Sequence, residues 1–155
     1  MSSELSSDIT KAKRIVFQLL KFRARSRKEI EDRLKKKKFT REAINSVIEY
    51  FDKLNLINDE EFASGWMKSR LTKPLGLRRI SFELKQKGIS EEIIEQAKNN
   101  IKDNYREYEV VSELAAGKLK KLKNIDPNKA KARIYSFLIR RGFSIDVINE
   151  VVSEL

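Results

Sequence analysis

The chain has 155 residues, 40% of them apolar and 37% charged, with five glycines and two prolines. That length suits one domain or a short run of small repeats, and a charged share well above the usual quarter points to helices with a thin core rather than a sandwich, a barrel or a disordered tail. No Cys and no His are present, which excludes disulfides, a thiol nucleophile, zinc–thiolate sites, histidine triads and imidazole ligands, and the net charge of +11 turns attention to polyanions.

In chain order, Met1 to Thr10 is polar and slightly acidic. It lacks the basic start and apolar run of a secretion signal, and no apolar stretch approaches the ~18 residues of a membrane helix. A cytoplasmic protein is expected. Ile15, Val16, Leu19 and Leu20 form a helical stripe. Ser26-Arg27-Lys28-Glu29 is a capping box opening a second helix, which ends in Lys35-Lys36-Lys37-Lys38; Thr40 opens a third. Asn58-Asp59-Glu60-Glu61 starts the next helix, with Phe62, Ala63, Trp66, Met67 and Leu71 as its stripe. Pro74 and Gly76 break the chain, and Ser90 opens another helix. Val110, Val111, Leu114, Ala115, Leu119 and Leu122 make a further stripe, followed by Asp126-Pro127, a cap before a first-position proline, and then Ser144.

These elements repeat. Ile30, Leu34, Phe39, Thr40, Ile44 and Val47 share their spacing with Ile80, Leu84, Ile89, Ser90, Ile94 and Ala97, and with Ile134, Leu138, Phe143, Ser144, Ile148 and Val151. The offsets of 50 and 54 residues fall in the range of solenoids. Before the third position of each set stand Lys38, Gly88 and Gly142, where the end of a helix suits a left-handed residue. The expectation is an all-α, elongated, curved array of three tandem three-helix repeats, over residues 9–57, 58–104 and 105–155. The middle helix of each repeat is basic and the last is acidic, so stacking predicts a basic face and an acidic face.

Residues 11–41 hold fourteen Lys/Arg against three acids. Favourable placement at a helix end explains one or two of these lysines, not fourteen basic residues, so nucleic-acid contact is the stronger reading there. The candidate basic face comprises Arg23, Arg25, Arg27, Lys28, Arg33, Lys35, Lys36 and Lys37 in the first repeat. It continues with Arg70, Lys73, Arg78, Arg79, Lys85 and Lys87 in the second, and Arg140 and Arg141 in the third. Arg133 is seven residues before Arg140, hence on the same helical face, but ordinary surface charge explains the third repeat equally well. Asp59, Glu60 and Glu61 belong to the first turn of a helix rather than to a metal site. Trp66 falls in an apolar stripe and is read as packing. Gly117-Lys118 lacks the partner glycine and hydroxyl of a phosphate loop. No catalytic residue, metal or cofactor is expected.

The stretch Asn58-Asp59-Glu60-Glu61-Phe62-Ala63, then Lys73-Pro74-Leu75-Gly76-Leu77-Arg78-Arg79-Ile80, then Glu83-Leu84-Lys85-Gln86-Lys87-Gly88-Ile89, resembles the central motif of the RecX regulatory proteins. Leu138-Ile139-Arg140-Arg141-Gly142-Phe143-Ser144 resembles their C-terminal motif, and Arg23-Ala24-Arg25-Ser26 with Glu29, Ile30 and Leu34 their first unit. The resemblance spans roughly residues 12–155; Asn58, Lys38 and Leu77 depart from the family's frequent Asp, Gly and Pro. It implies three tandem three-helix units and a non-enzymatic modulator of the RecA recombinase, acting in recombination, repair and the SOS response. Such a protein binds the recombinase filament on DNA, lies along its groove, and restrains its growth, ATPase and strand exchange.

On that reading the partners are the RecA filament and single- and double-stranded DNA, met through phosphates without sequence specificity. No membrane partner is expected, and the protein is expected to be a monomer. The acidic helices, with Glu42, Glu49, Asp52, Glu91, Glu92 and Glu95, would meet basic protein surface. The competing reading is a general DNA-binding helical protein with no recombinase target. A carboxylate-dependent nuclease and a lipid-surface binder are weaker: the chain has no His to serve a nuclease, and the apolar stripe of the basic segment is needed for the core.

Overall fold

The computed structural model describes residues 3–155. Its helices are α1 (Ser3–Phe22), α2 (Arg27–Lys36), α3 (Arg41–Lys53), α4 (Asp59–Arg70), α5 (Leu77–Gln86), α6 (Glu91–Ile101), α7 (Glu107–Lys121), α8 (Pro127–Arg140) and α9 (Ile145–Ser153). No strand occurs among the described residues. The order is three helices, three times. Helix α1 starts at Ser3, well ahead of the stripe that announces it; a polar, weakly patterned segment simply propagates an existing helix.

The helix starts follow the local chemistry. Ser26 Oγ accepts from the Glu29 amide at 3.2 Å while the Ser26 amide donates to Glu29 Oε1 at 3.1 Å, closing the capping box. Thr40 Oγ1 accepts from the Ala43 amide, Asn58 Oδ1 from Glu61, Ser90 Oγ from Ile93 and Asp126 Oδ2 from Lys129. Ser144 departs from the expected pattern. Its hydroxyl makes no cap bond; instead its amide donates to Glu107 Oε1, so a side chain from α7 satisfies the start of α9.

The three helix-ending turns share one backbone conformation. Lys38, Gly88 and Gly142 have φ of 67°, 79° and 83°. The pattern therefore reads the turn correctly even where lysine stands in it. Asn55, at φ 55°, follows α3 in the same left-handed region and is a further stop.

Packing divides the chain into two compact units. One takes the residues up to Gly65 together with Lys85–Ile93; the other takes Trp66–Leu84 together with Ile94–Leu155. In the first, α1 and α2 both pack on α3, around Ala12, Val16, Ile30, Leu34, Ile44, Val47, Ile48, Phe51 and Ile57. In the second, α7, α8 and α9 pack mutually around Val111, Ala115, Ile134, Leu138, Phe143, Ile148 and Val151. The aligned positions of the repeat supply much of both cores: Ile30, Leu34, Ile44 and Val47 in one, Ile134, Leu138, Phe143, Ile148 and Val151 in the other.

Inside each unit one glycine turn docks on the start of a middle helix. In the first, a Cβ on Gly88 would lie 2.5 Å from Lys28 Cβ, and Ser26 Oγ donates to the Lys87 carbonyl at 2.7 Å. In the second, a Cβ on Gly142 would lie 2.3 Å from Arg79 Cβ and 2.6 Å from its amide nitrogen. Gly76, aligned with Ser26, uses its own amide to reach the Arg141 carbonyl at 2.8 Å, and the Arg78 amide reaches the Gly142 carbonyl at 3.0 Å.

Candidate nucleic-acid interface

The basic residues of the first unit divide by what they touch. Glu29, fixed by its role in the capping box, collects Arg23 at 2.6 Å and Lys87 at 3.4 Å. Partial burial pushes its carboxyl up, but the Arg23 bond, the Ser26 amide and the Lys87 charge outweigh that and hold it down at about 2. Arg27 pairs with Asp52 at 2.7 Å, and its amide donates to Asp59 Oδ1. Arg25 donates to the Leu19 carbonyl at the end of α1. Burial, with the charge of Arg23 beside it, lowers its pKa from the usual arginine value. Lys28 reaches the Gln86 carbonyl at 3.4 Å, and Lys85 pairs with Glu91 at 3.0 Å.

Arg33, Lys35, Lys36 and Lys37 stand exposed along the last turn and C-cap of α2. A cleft of about 290 Å³ between α1 and α2 is lined by Leu19, Arg25, Glu29, Asp32, Arg33 and Lys36. Positive charge dominates it, but two carboxylates share it.

In the second unit Glu83 organises the start of the basic segment. Arg70 holds it with two bonds, at 2.9 and 2.7 Å, Trp66 Nε1 donates to it at 3.1 Å, and Arg79 Nε lies 3.7 Å away. Burial raises the Glu83 carboxyl, and the Arg70 and Trp66 bonds bring it below its ordinary value. Trp66 is thus half-buried and polar at its tip, tying α4 to α5 rather than presenting a ring to solvent. Lys73, Arg78 and Arg140 are exposed, and Arg141 lies over the Phe137 ring at 5.0 Å.

One arrangement escapes a reading of the sequence. Between α7 and α8, Lys118, Leu122, Ala132, Arg133, Ser136 and Arg140 line a groove of about 400 Å³. Arg133 and Arg140 are visible as a seven-residue pair in sequence, but Lys118 joins them only through the packing of α7 on α8.

Four of the six candidate acidic residues are engaged inside their own unit: Glu49 with Lys53, Asp52 with Arg27, Glu91 with Lys85 and Glu95 with Lys98. Glu42 and Glu92 are exposed and carry no ion pair among the described residues. Among those residues no group of three or more carboxylates could hold a metal ion, and no helix is long and apolar enough to cross a membrane.

Comparison with known proteins places these observations in a family. Family models described as the first, second and third three-helix domains of RecX match residues 12–51, 58–97 and 105–152, in that order. The regulatory protein RecX of Amycolatopsis mediterranei is 35% identical over 145 residues, covering 93% of this chain and 82% of that one. That of Prosthecochloris aestuarii is 34% identical over 152 residues, covering 96% of each. The crystal structure of RecX from Lactobacillus salivarius superposes with a TM-score of 0.86 at 28% identity, over 97% of both chains.

Proposed function

This chain belongs to the RecX family, and from that premise we propose that it is a non-enzymatic regulator of the RecA recombinase. It binds the recombinase filament on DNA along the filament groove and inhibits filament extension, ATPase and strand exchange. The observation that carries this reading is the ordered match of all three three-helix domains, joined to exposed cations in each repeat.

Physical chemistry supports a division of labour. Arg33, Lys35, Lys36, Lys37, Lys73, Arg78 and Arg140 have their charged ends in solvent and are suited to phosphates. Arg23, Lys87 and Arg70 lie against Glu29 and Glu83 and serve first to hold helices in place. Glu42 and Glu92 are the acids best placed for a basic protein surface. Many weak contacts spread over three repeats add through effective concentration. A protein bridging neighbouring protomers would obstruct the motions that couple ATP hydrolysis to filament turnover.

The test is the ATPase rate of a preformed RecA filament on single-stranded DNA as this protein is titrated in, with bare DNA as control. Inhibition is expected well below the amount that coats the DNA. Inhibition appearing only once bare DNA is saturated would mean competition for the lattice, and the chain would be a general DNA-binding protein instead.

A further inference from the structure

We infer that the α7/α8 groove of the third repeat is a phosphodiester-binding subsite, built from Lys118, Arg133, Ser136 and Arg140. The inference rests on the reading of this chain as one that contacts DNA, and it reverses the order of importance that charge density in the sequence suggests.

The same groove exists in the first repeat, and the repeat alignment lets the two be compared position by position. Aligning Ile30 with Ile134 puts Glu29 at Arg133, Asp32 at Ser136 and Lys36 at Arg140. Each of these six residues lines its own groove. Where the first repeat places two carboxylates, the third places an arginine and a hydroxyl. Glu29 is already held by Arg23 and Lys87, and its charge and that of Asp32 repel a polyanion. In the middle repeat the aligned segment is engaged differently, with Arg70, Trp66 and Arg79 gathered on Glu83. The third groove is lined by three cations and no acid.

Geometry favours a strand backbone over a base or a peptide side chain. Arg133 and Arg140 are two helical turns apart, about 10 Å along α8. With Lys118 opposite, the three charges lie within reach of successive phosphates of one strand. Guanidinium forks and the Ser136 hydroxyl suit phosphate oxygens. The neighbouring aromatic ring, Phe137, is occupied by Lys118 at 4.7 Å and Arg141 at 5.0 Å, and so offers no stacking platform.

The experiment measures binding of a labelled oligothymidylate by fluorescence anisotropy across a salt series. The full chain is compared with the variant Lys118→Gln/Arg133→Gln/Arg140→Gln. The logarithmic salt slope should shrink by about 2, because each phosphate neutralised on a single strand contributes ~0.7 to it and the variant leaves three of them without a cation. A control removing the same charge outside the groove, Lys120→Gln/Lys121→Gln/Lys123→Gln, should change it little. Equal slopes for the two variants would overturn the inference, as would displacement of the strand by oligoglutamate as readily as by unlabelled oligothymidylate. Circular dichroism checks that each variant is folded. Should the triple variant lose its helices, Arg133→Gln alone should still shrink the slope by about 0.7. Running the RecA ATPase assay beside it separates the two proposals: an unchanged slope with intact inhibition removes the groove only, whereas a lowered slope with no inhibition by the native chain removes the regulator reading only.

Discussion

At the turn that closes each middle helix, glycine answers two demands that come apart when the three copies are compared. All three residues are left-handed; Gly88 and Gly142 have another helix pressed against them, whereas Lys38 is exposed. Lys38 meets the backbone demand alone, and lysine tolerates it at a modest cost. Lys38→Gly should therefore stabilise the protein by about 1 kcal/mol. Gly142→Ala should destabilise it by about 2–4 kcal/mol, because the added carbon would meet the Arg79 backbone. Gly88→Ala should fall between, since there the obstruction is the Lys28 side chain. Urea unfolding midpoints would rank the three, and a Gly142→Ala protein as stable as the native one would refute the close-packing argument. The glycines were legible in sequence as helix stops. Their docking partners were not, because a contact between residues 79 and 142 leaves no local trace.

On the scale of helices, the start of α2 gathers several long-range bonds of the first unit. Ser26 caps α2 and holds the Lys87 carbonyl at once, while Glu29 joins the cap to Arg23 and Lys87. The cap was readable as a Ser-x-x-Glu motif; its second bond, to a residue sixty-one positions away, was not. A pH dependence follows. The Glu29 carboxyl sits at about 2 when folded and near 4.3 when unfolded, so the unfolded chain takes up its proton first as pH falls. The stability from this group is complete above the unfolded value and is lost progressively as pH drops from about 4.5 towards 2. Glu29→Gln should lower stability at neutral pH and flatten the curve across that window. Chemical unfolding between pH 7 and pH 2 would show it, and parallel curves for the two proteins would exclude Glu29 as the cause.

For the molecule as a whole, the sequence made fold class and repeat order plain, because the aligned apolar positions are the buried ones. The family was legible through motif residues that are mostly caps and turns. The amount of charge was legible, but its pairing was not. Counting lysines put the weight on residues 11–41, but in the folded protein Arg23 and Arg27 lie against Glu29 and Asp52 and are not open to solvent alone. The acidic helices are likewise engaged: of Glu91, Glu92 and Glu95, only Glu92 is without an ion pair among the described residues. Reversing all three to Lys should weaken binding to the recombinase filament and leave binding to bare DNA undiminished. Equal losses on both would argue against an acidic protein-facing surface. The docked turns also bear on whether the copies are interchangeable. A chain shuffled so that the first repeat took second place would put Lys38 where Gly88 stands, with a side chain directed at the start of the preceding repeat's middle helix. The first copy is therefore confined to a place where its turn meets no other helix, and a protein built with it in a later position would fail at the seam rather than in its cores.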